Sequence, residues 1–396
     1  MLSVRTLDNA IYYLLFIYAG VSGISRVGVY ISIILLSLIA VIRYIREPFS
    51  LNIDSHISQG MKVLLGVLIV STIMSSNFLI SIEFLSRSLA LILPFFVAAT
   101  FIKENRTIDK LVLIMSISIL CGSAVAIFQG LHGNYRASSF LGIMNFAGAI
   151  GLILPMLIVY IFEHKNIEKS KRYLLMVAAF VSIIALLFNG TRSIWISTII
   201  CLVTYLLISG RFQKKKVIIT IATAIILIFA VLLMNNSFIK RVESIANTTT
   251  DTSNIKRINM WYFAIDVFKE HPLLGTGLAT LPSHTGTFIS REDSLPVWDK
   301  AKGDHVHNIF LQVLAENGVI GLSGFLFFWH KVLLSIWQRM NYPDSKMWSY
   351  VALLCTLNFL IHGMFDYIIA LKTVMYAYSF ILGLAYANFN NSKILN

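Results

Sequence analysis

Charge is what this sequence has least of. Only 13% of its 396 residues are Asp, Glu, Lys or Arg, against about 25% in an ordinary soluble domain. That shortage excludes a soluble enzyme and a disordered chain. Cysteine is as scarce. Cys121, Cys201 and Cys355 lie inside apolar runs with no CxxC pair, which excludes a disulfide scaffold and leaves them as small core residues. Proline numbers seven, and Pro272, Pro282 and Pro296 fall in one polar stretch. No Asp-x-Asp pair occurs, and no His/Cys/carboxylate set has metal-ligand spacing. No metal and no cofactor are therefore expected. Gly275-Thr276-Gly277 is not followed by Gly-Lys-Ser/Thr and follows no strand, so it is not a nucleotide loop. No long-period repeat points to a solenoid.

What is present is apolar: 57% of the chain. The runs reach the ~20 residues that a bilayer demands of a helix. Hydropathy predicts about twelve spans, near 8–24, 27–43, 60–76, 86–102, 109–130, 143–162, 173–189, 192–210, 217–235, 308–336, 347–363 and 368–388. Backbone amides in lipid must be satisfied internally, so the spans are helices and the fold class is an all-α polytopic membrane protein. The first run lacks a small-x-small cleavage site and is expected to stay as an uncleaved helix.

The net charge of +13 would suggest nucleic acid in a soluble protein. In a membrane protein it reads as loop asymmetry, and no nucleic-acid partner is expected. With both termini in the cytoplasm, 18 basic residues collect in short cytoplasmic loops and tails, including the clusters at 169–172 and 214–216. The short outer loops hold four: Arg26, Arg87, Arg136 and Arg192. One connection breaks the pattern. The expected organisation is transmembrane helices 1–9 over 1–235, an outer loop over 236–307, and helices 10–12 with a cytoplasmic tail over 308–396. Within the loop, 255–270 has Ile258, Trp261, Ile265 and Phe268 at helical spacing, with a cap expected in 248–253.

The densest polar cluster closes that loop: Gly303-Asp304-His305-Val306-His307-Asn308. In an extended segment the two histidines would point the same way. Asp304 or Asn308 would cap the next helix. A neutral imidazole there accepts a proton from a hydroxyl; the alternative is an interfacial loop whose histidines meet water. Three outer arginines run against the positive-inside bias: Arg136, Arg192 in Asn189-Gly190-Thr191-Arg192-Ser193, and Arg257. Guanidinium forks suit a diphosphate; a single one also fits snorkelling to headgroups. His362 and Asp366 are ionisable groups near membrane depth and supporting candidates.

Four segments together resemble the O-antigen ligase and polymerase superfamily of bacterial inner-membrane glycosyltransferases. They are Arg136-Ala137-Ser138-Ser139-Phe140 with Met144-Asn145-Phe146-Ala147-Gly148; Gly190-Thr191-Arg192-Ser193; Arg257 to Trp261 with Pro272-Leu273-Leu274-Gly275-Thr276-Gly277; and His305-Val306-His307-Asn308-Ile309-Phe310-Leu311-Gln312 with Glu316-Asn317-Gly318-Val319-Ile320-Gly321-Leu322. The resemblance implies a GT-C-like fold of about twelve helices with one long periplasmic loop containing short helices. It implies an undecaprenyl-diphosphate-linked glycan as donor and, for a ligase, lipid A–core as acceptor, both reached through membrane lipids. Arg192 and Arg257 would hold the diphosphate, with Arg136 beside them. His307 would be the base, kept neutral by nearby arginines, and His305 the alternate. Transfer would be inverting and metal-independent. The polymerase, which extends the lipid-linked glycan, is the nearest alternative. A transporter of such lipids is the next, although its midplane broken helices are not the pattern here.

Overall fold

The structure is a computed structural model that describes residues 3–49, 53–134, 136–210, 251–284 and 305–387. The expected ninth span, the polar stretch before the histidines and Asp304 lie outside the described residues. Thirteen α-helices and one 3-10 turn make up the rest, with no strand among the described residues. They are α1 (Val4–Val21), α2 (Arg26–Arg46), α3 (Ser55–Ile73), α4 (Phe78–Leu91), α5 (Leu93–Phe101), α6 (Asn105–Leu131), α7 (Ile143–Glu163), α8 (Lys169–Asn189), α9 (Arg192–Ile208), α10 (Thr252–Glu270), α11 (Ile309–Arg339), α12 (Pro343–Gly363), the 3-10 turn (Ile368–Ala370) and α13 (Lys372–Tyr386). Seven are long and apolar enough to cross a membrane, counting α4 and α5 as one. The molecule is thus an all-helical multi-pass membrane protein.

The helix α7 is the centre. Its residues from Phe146 to Leu157 are buried on every side, as expected of a helix apolar all round. Around it, α12, α9 and α13 pack inside, while α2 turns Ile31, Ile34, Leu38 and Ile45 outward. Lipid supplies no hydrophobic drive between helices, so close backbone approach and polar pairs must hold them. Both occur. Gly122 lies against the carbonyl of Gly23, whose own N–H donates to Ser118 at 2.8 Å. Buried pairs Ser123–Ser182, Ser335–Tyr386 and Thr356–Tyr378 bridge helices at 3.2, 2.7 and 3.0 Å. Cys201 and Cys355 are buried as expected, whereas Cys121 sits on an exposed face of α6.

Two spans are broken, and each break has a cause. The expected span 86–102 divides after Leu91 because Pro94 cannot continue the ladder. The Phe95 amide turns to Ile92, and the Leu91 carbonyl instead accepts from buried Ser379 at 2.6 Å. The helix α11 breaks at Gly318, with φ 63° and ψ −167°. Four backbone groups at the break find partners in another segment. The carbonyls of Ala315 and Glu316 accept from the amides of Thr276 and Gly277, at 3.2 and 2.8 Å. The amides of Val319 and Ile320 donate to Pro272 and Leu273, at 2.9 and 3.3 Å. Irregular backbone at such depth is stable only when protein takes up the freed groups. The segment 272–277 is therefore laced into the kink of α11, and the Pro272 and Glu316 motifs meet as one structural unit.

The stretch expected to be helical in the outer loop is α10, capped by Asp251, whose carboxylate accepts from the Asn254 amide at 2.9 Å. A second apolar stripe is the buried one. Met260, Phe263, Ala264 and Val267 face Leu281, Val306 and Ala315, while Ile265 is exposed. Both stripes have helical spacing; contact with the α11 segment selects the second. Ile258 and Trp261 line a cleft, and Trp261 also packs against the buried cluster.

Candidate active site

The cleft is built on short turns that carry no regular structure of their own. The helix α8 ends at Asn189, and Gly190 takes the left-handed conformation (φ 69°) that closes a helix C-terminus. Thr191 then precedes Arg192, the first residue of α9. Asn189 is fully buried. Its amide donates to the carbonyls of Ala137 and Ile143 at 2.8 and 3.0 Å, and its oxygen accepts from the Thr191 hydroxyl. One side chain thus ties the loop of Arg136 to the turn of Arg192. Gln129 holds the same loop from α6, its oxygen accepting from the amides of Ser138 and Ser139 at 3.0 and 2.9 Å.

These anchors bring the loop of Arg136 to the turn of Arg192, and α10 adds Arg257. Arg136, Arg192 and Arg257 line one cleft of about 270 Å³, with Ser193, Ser253, Asn254, Trp261 and Phe365. Arg192 donates to Asn254 at 3.1 Å and lies 3.5 Å from the Asp251 carboxylate. Arg257 reaches Ser253 at 3.4 Å. Arg192 stands at a helix N-terminus, where the first amides have no partner within the helix and the dipole favours an anion. Among the described residues, Asp251 and Asp366 are the carboxylates close to these three cations.

His307 stands beside the cleft and not in its lining. Its Nδ1 lies 3.2 Å from Oδ1 of Asp366, the residue after Phe365. With the proton on Nδ1, the imidazole donates to Asp366 and Nε2 keeps a lone pair. Asp366 is buried and also accepts from the Tyr367 amide at 3.0 Å. Burial pushes its carboxyl upward. The hydrogen bond from His307 and the charges of His362, His307 and Arg257 outweigh that and hold it below the usual carboxylate range. Asp366 therefore stays ionised beside the imidazole.

The other expected residues separate. His305 packs its ring against Tyr367, tilted by 44° with the ring centres 4.5 Å apart. The two histidines do not share an extended strand, because His307 has φ +53°. Asn308 is the cap of α11, accepting from the amides of Phe310 and Leu311 at 2.9 and 3.1 Å. His362 is buried near Asp366 and Arg257, with no hydrogen-bond partner for Nε2. No group of three metal-ligating side chains gathers among the described residues.

Sequence reasoning missed Asn189, Gln129 and the pairing of His307 with Asp366. Asn189 had a signal, a polar residue ending an apolar run before Gly-Thr-Arg. The partnership of positions 307 and 366 had none.

Comparison with known proteins adds an independent line. Residues 177–326 match the family model described as O-antigen ligase. A provisionally named polysaccharide ligase of Rickettsia conorii is 30% identical over 225 residues, covering 49% of this chain and 51% of that protein. The chain thus spans about half the length of the relative it matches. The family match includes Arg192, Arg257 and His307, but neither Arg136 nor Asp366. Together these likenesses support the O-antigen ligase superfamily for this chain, through the segment that carries two of the cleft arginines and His307.

Proposed function

We propose that this chain is a polysaccharide ligase that transfers a glycan from undecaprenyl diphosphate to a hydroxyl of lipid A–core at the periplasmic face of the inner membrane, with both termini cytoplasmic. The observation that carries the reading is the cleft itself. Three arginines, from a loop and two separate helices, line one cleft beside an imidazole paired with a carboxylate. In this reading Arg192 and Arg257 hold the donor diphosphate and stabilise the charge that grows on it, with Arg136 at the rim. His307 Nε2 takes the proton of the acceptor hydroxyl, and Asp366 stabilises the imidazolium that forms. The acceptor oxygen bonds to the anomeric carbon as the carbon–phosphate oxygen bond breaks, and the electron pair leaves with the diphosphate. One displacement inverts the anomeric centre. The domain reading puts α10, which carries Arg257, in the outer loop over 236–307.

The test is His307→Ala in a strain whose chromosomal copy is deleted. Loss of every lipopolysaccharide band above core, with membrane insertion intact, is expected, since a positioned base contributes roughly 10²–10⁴-fold. Normal capping by that variant removes the assignment. In the deletion strain itself, core bearing a single repeat would mean a polymerase, whereas accumulated lipid-linked polymer with bare core means a ligase.

A further inference from the structure

Behind His307 lies a buried polar chain, built from residues of the fourth motif, that the mechanism above does not use. Gln312 is 1% exposed and Glu316 is 2% exposed. They sit one turn apart on α11. The Gln312 oxygen accepts from the Val306 amide at 2.9 Å, and its Nε2 donates to Glu316 Oε1 at 2.7 Å. The amides of Ala279 and Leu281 also face the Glu316 carboxylate. The orientation of the Gln312 amide is thereby determined: an acceptor toward Val306, a donor toward Glu316. The side chain of Val306 is itself buried against Phe263 of α10, Leu281 and Ala315. The next residue is His307, in the left-handed region at φ +53°, where a residue other than glycine is held only by its surroundings. Asn308 then caps α11.

We propose that Gln312 and Glu316 form a latch that positions His307, holding the backbone on its N-terminal side so that the imidazole meets Asp366. Both are positioning residues, because they act through Val306 and touch no reacting atom. The same latch joins three parts of the site. Glu316 gathers the turn at 279–281, Gln312 gathers the histidine segment, and the shared apolar cluster seats α10, which carries Arg257. The chemistry favours this pair of residue types: three N–H donors converge on Glu316, and a carboxylate offers acceptors alone. The inference rests on the assignment of His307 made above.

The experiment uses the full chain in proteoliposomes with a labelled undecaprenyl-diphosphate oligosaccharide and lipid A–core. Gln312→Leu removes both bonds at similar size. Its kcat should fall roughly 100-fold, as for a misplaced reacting group, while KM for the donor changes little. The rate at which diethyl pyrocarbonate modifies His307, read by peptide mass against exposed His132, should change severalfold. This second readout needs no turnover. If Gln312→Leu does not insert, the reciprocal pair decides. Gln312→Glu alone sets two carboxylates together and should lose activity, and Gln312→Glu with Glu316→Gln should regain at least a tenfold share. Unchanged kcat and unchanged His307 modification in Gln312→Leu, with His307→Ala inactive, overturns the latch alone. A reciprocal pair no better than its single variant also overturns it. Transfer retained by His307→Ala overturns the reading on which the latch rests.

Discussion

The two ends of the helical bundle treat charge differently. At the end where α7 and α11 finish, buried polar groups are spent on neighbours. Arg339 is buried, donates to the Ala385 carbonyl at 2.9 Å and lies 4.3 Å over the Tyr386 ring. Tyr160 donates to Asp109, which His164 approaches at 3.4 Å, and Tyr205 donates to Glu163 at 2.6 Å. These groups close the bundle. At the α10 end, three guanidinium groups line one open cleft, and an imidazole stands with one nitrogen committed to Asp366 and the other left over. The same residue types are spent on single neighbours at one end and converge on a shared cleft at the other. Convergence, not residue identity, marks the difference.

Substitution at the two ends should separate these roles. Arg192→Met should lower kcat by roughly 10²–10³-fold, the usual loss when one donor to a developing anion is removed, with the unfolding temperature little changed. Arg339→Met should do the reverse. It leaves the Ala385 carbonyl without its partner at a cost of about 1–3 kcal/mol, while the folded fraction transfers glycan normally. Equal effects at the two positions in a thermal-shift and turnover comparison would break the contrast.

The kink of α11 gives the next largest effect. A Cβ at Gly318 would lie 2.2 Å from the Leu273 carbonyl, at φ +63°. Gly318→Ala should therefore cost on the order of 2 kcal/mol or more and loosen the outer end first, seen as faster proteolysis near 272–277. Gly66 in α3 faces open space, and Gly66→Ala should gain about 0.5–1 kcal/mol from helix propensity.

Asp366 supplies the smallest and most specific test. Its carboxyl is held below the ordinary carboxylate range, so its ionised form contributes stability above the unfolded value of about 3.9. That contribution is lost as pH falls through the folded value. The unfolding temperatures of the wild type and Asp366→Asn should therefore differ fully at pH 7 and converge below about pH 4. A gap that persists unchanged into acid would mean that Asp366 acts through packing alone.

Much of the fold was legible beforehand. The apolar runs at 27–43, 109–130 and 143–162 correspond to α2, α6 and α7 with ends shifted by a few residues, since a bilayer dictates both length and helical form. The kink at Gly318 was not legible. A helix of 31 residues reads as unbroken when the segment that replaces its hydrogen bonds lies some forty residues earlier. The buried stripe of α10 was equally ambiguous, because two apolar stripes share one spacing.

For the site, the sequence by itself singled out three cations. The expected topology puts Arg136, Arg192 and Arg257 on the side that a positive-inside chain keeps poor in charge, an argument that needs no coordinates. Only tertiary structure decided that they share one cleft, that Asn189 and Gln129 hold the segments of Arg136 and Arg192, and that His307 rather than His305 meets Asp366. Those facts depend on contacts such as His307–Asp366, 59 positions apart, and Arg192–Asn254, 62 apart, and on a left-handed backbone at His307 that no local preference would select. Pattern specifies which residues are available; packing specifies which of them meet.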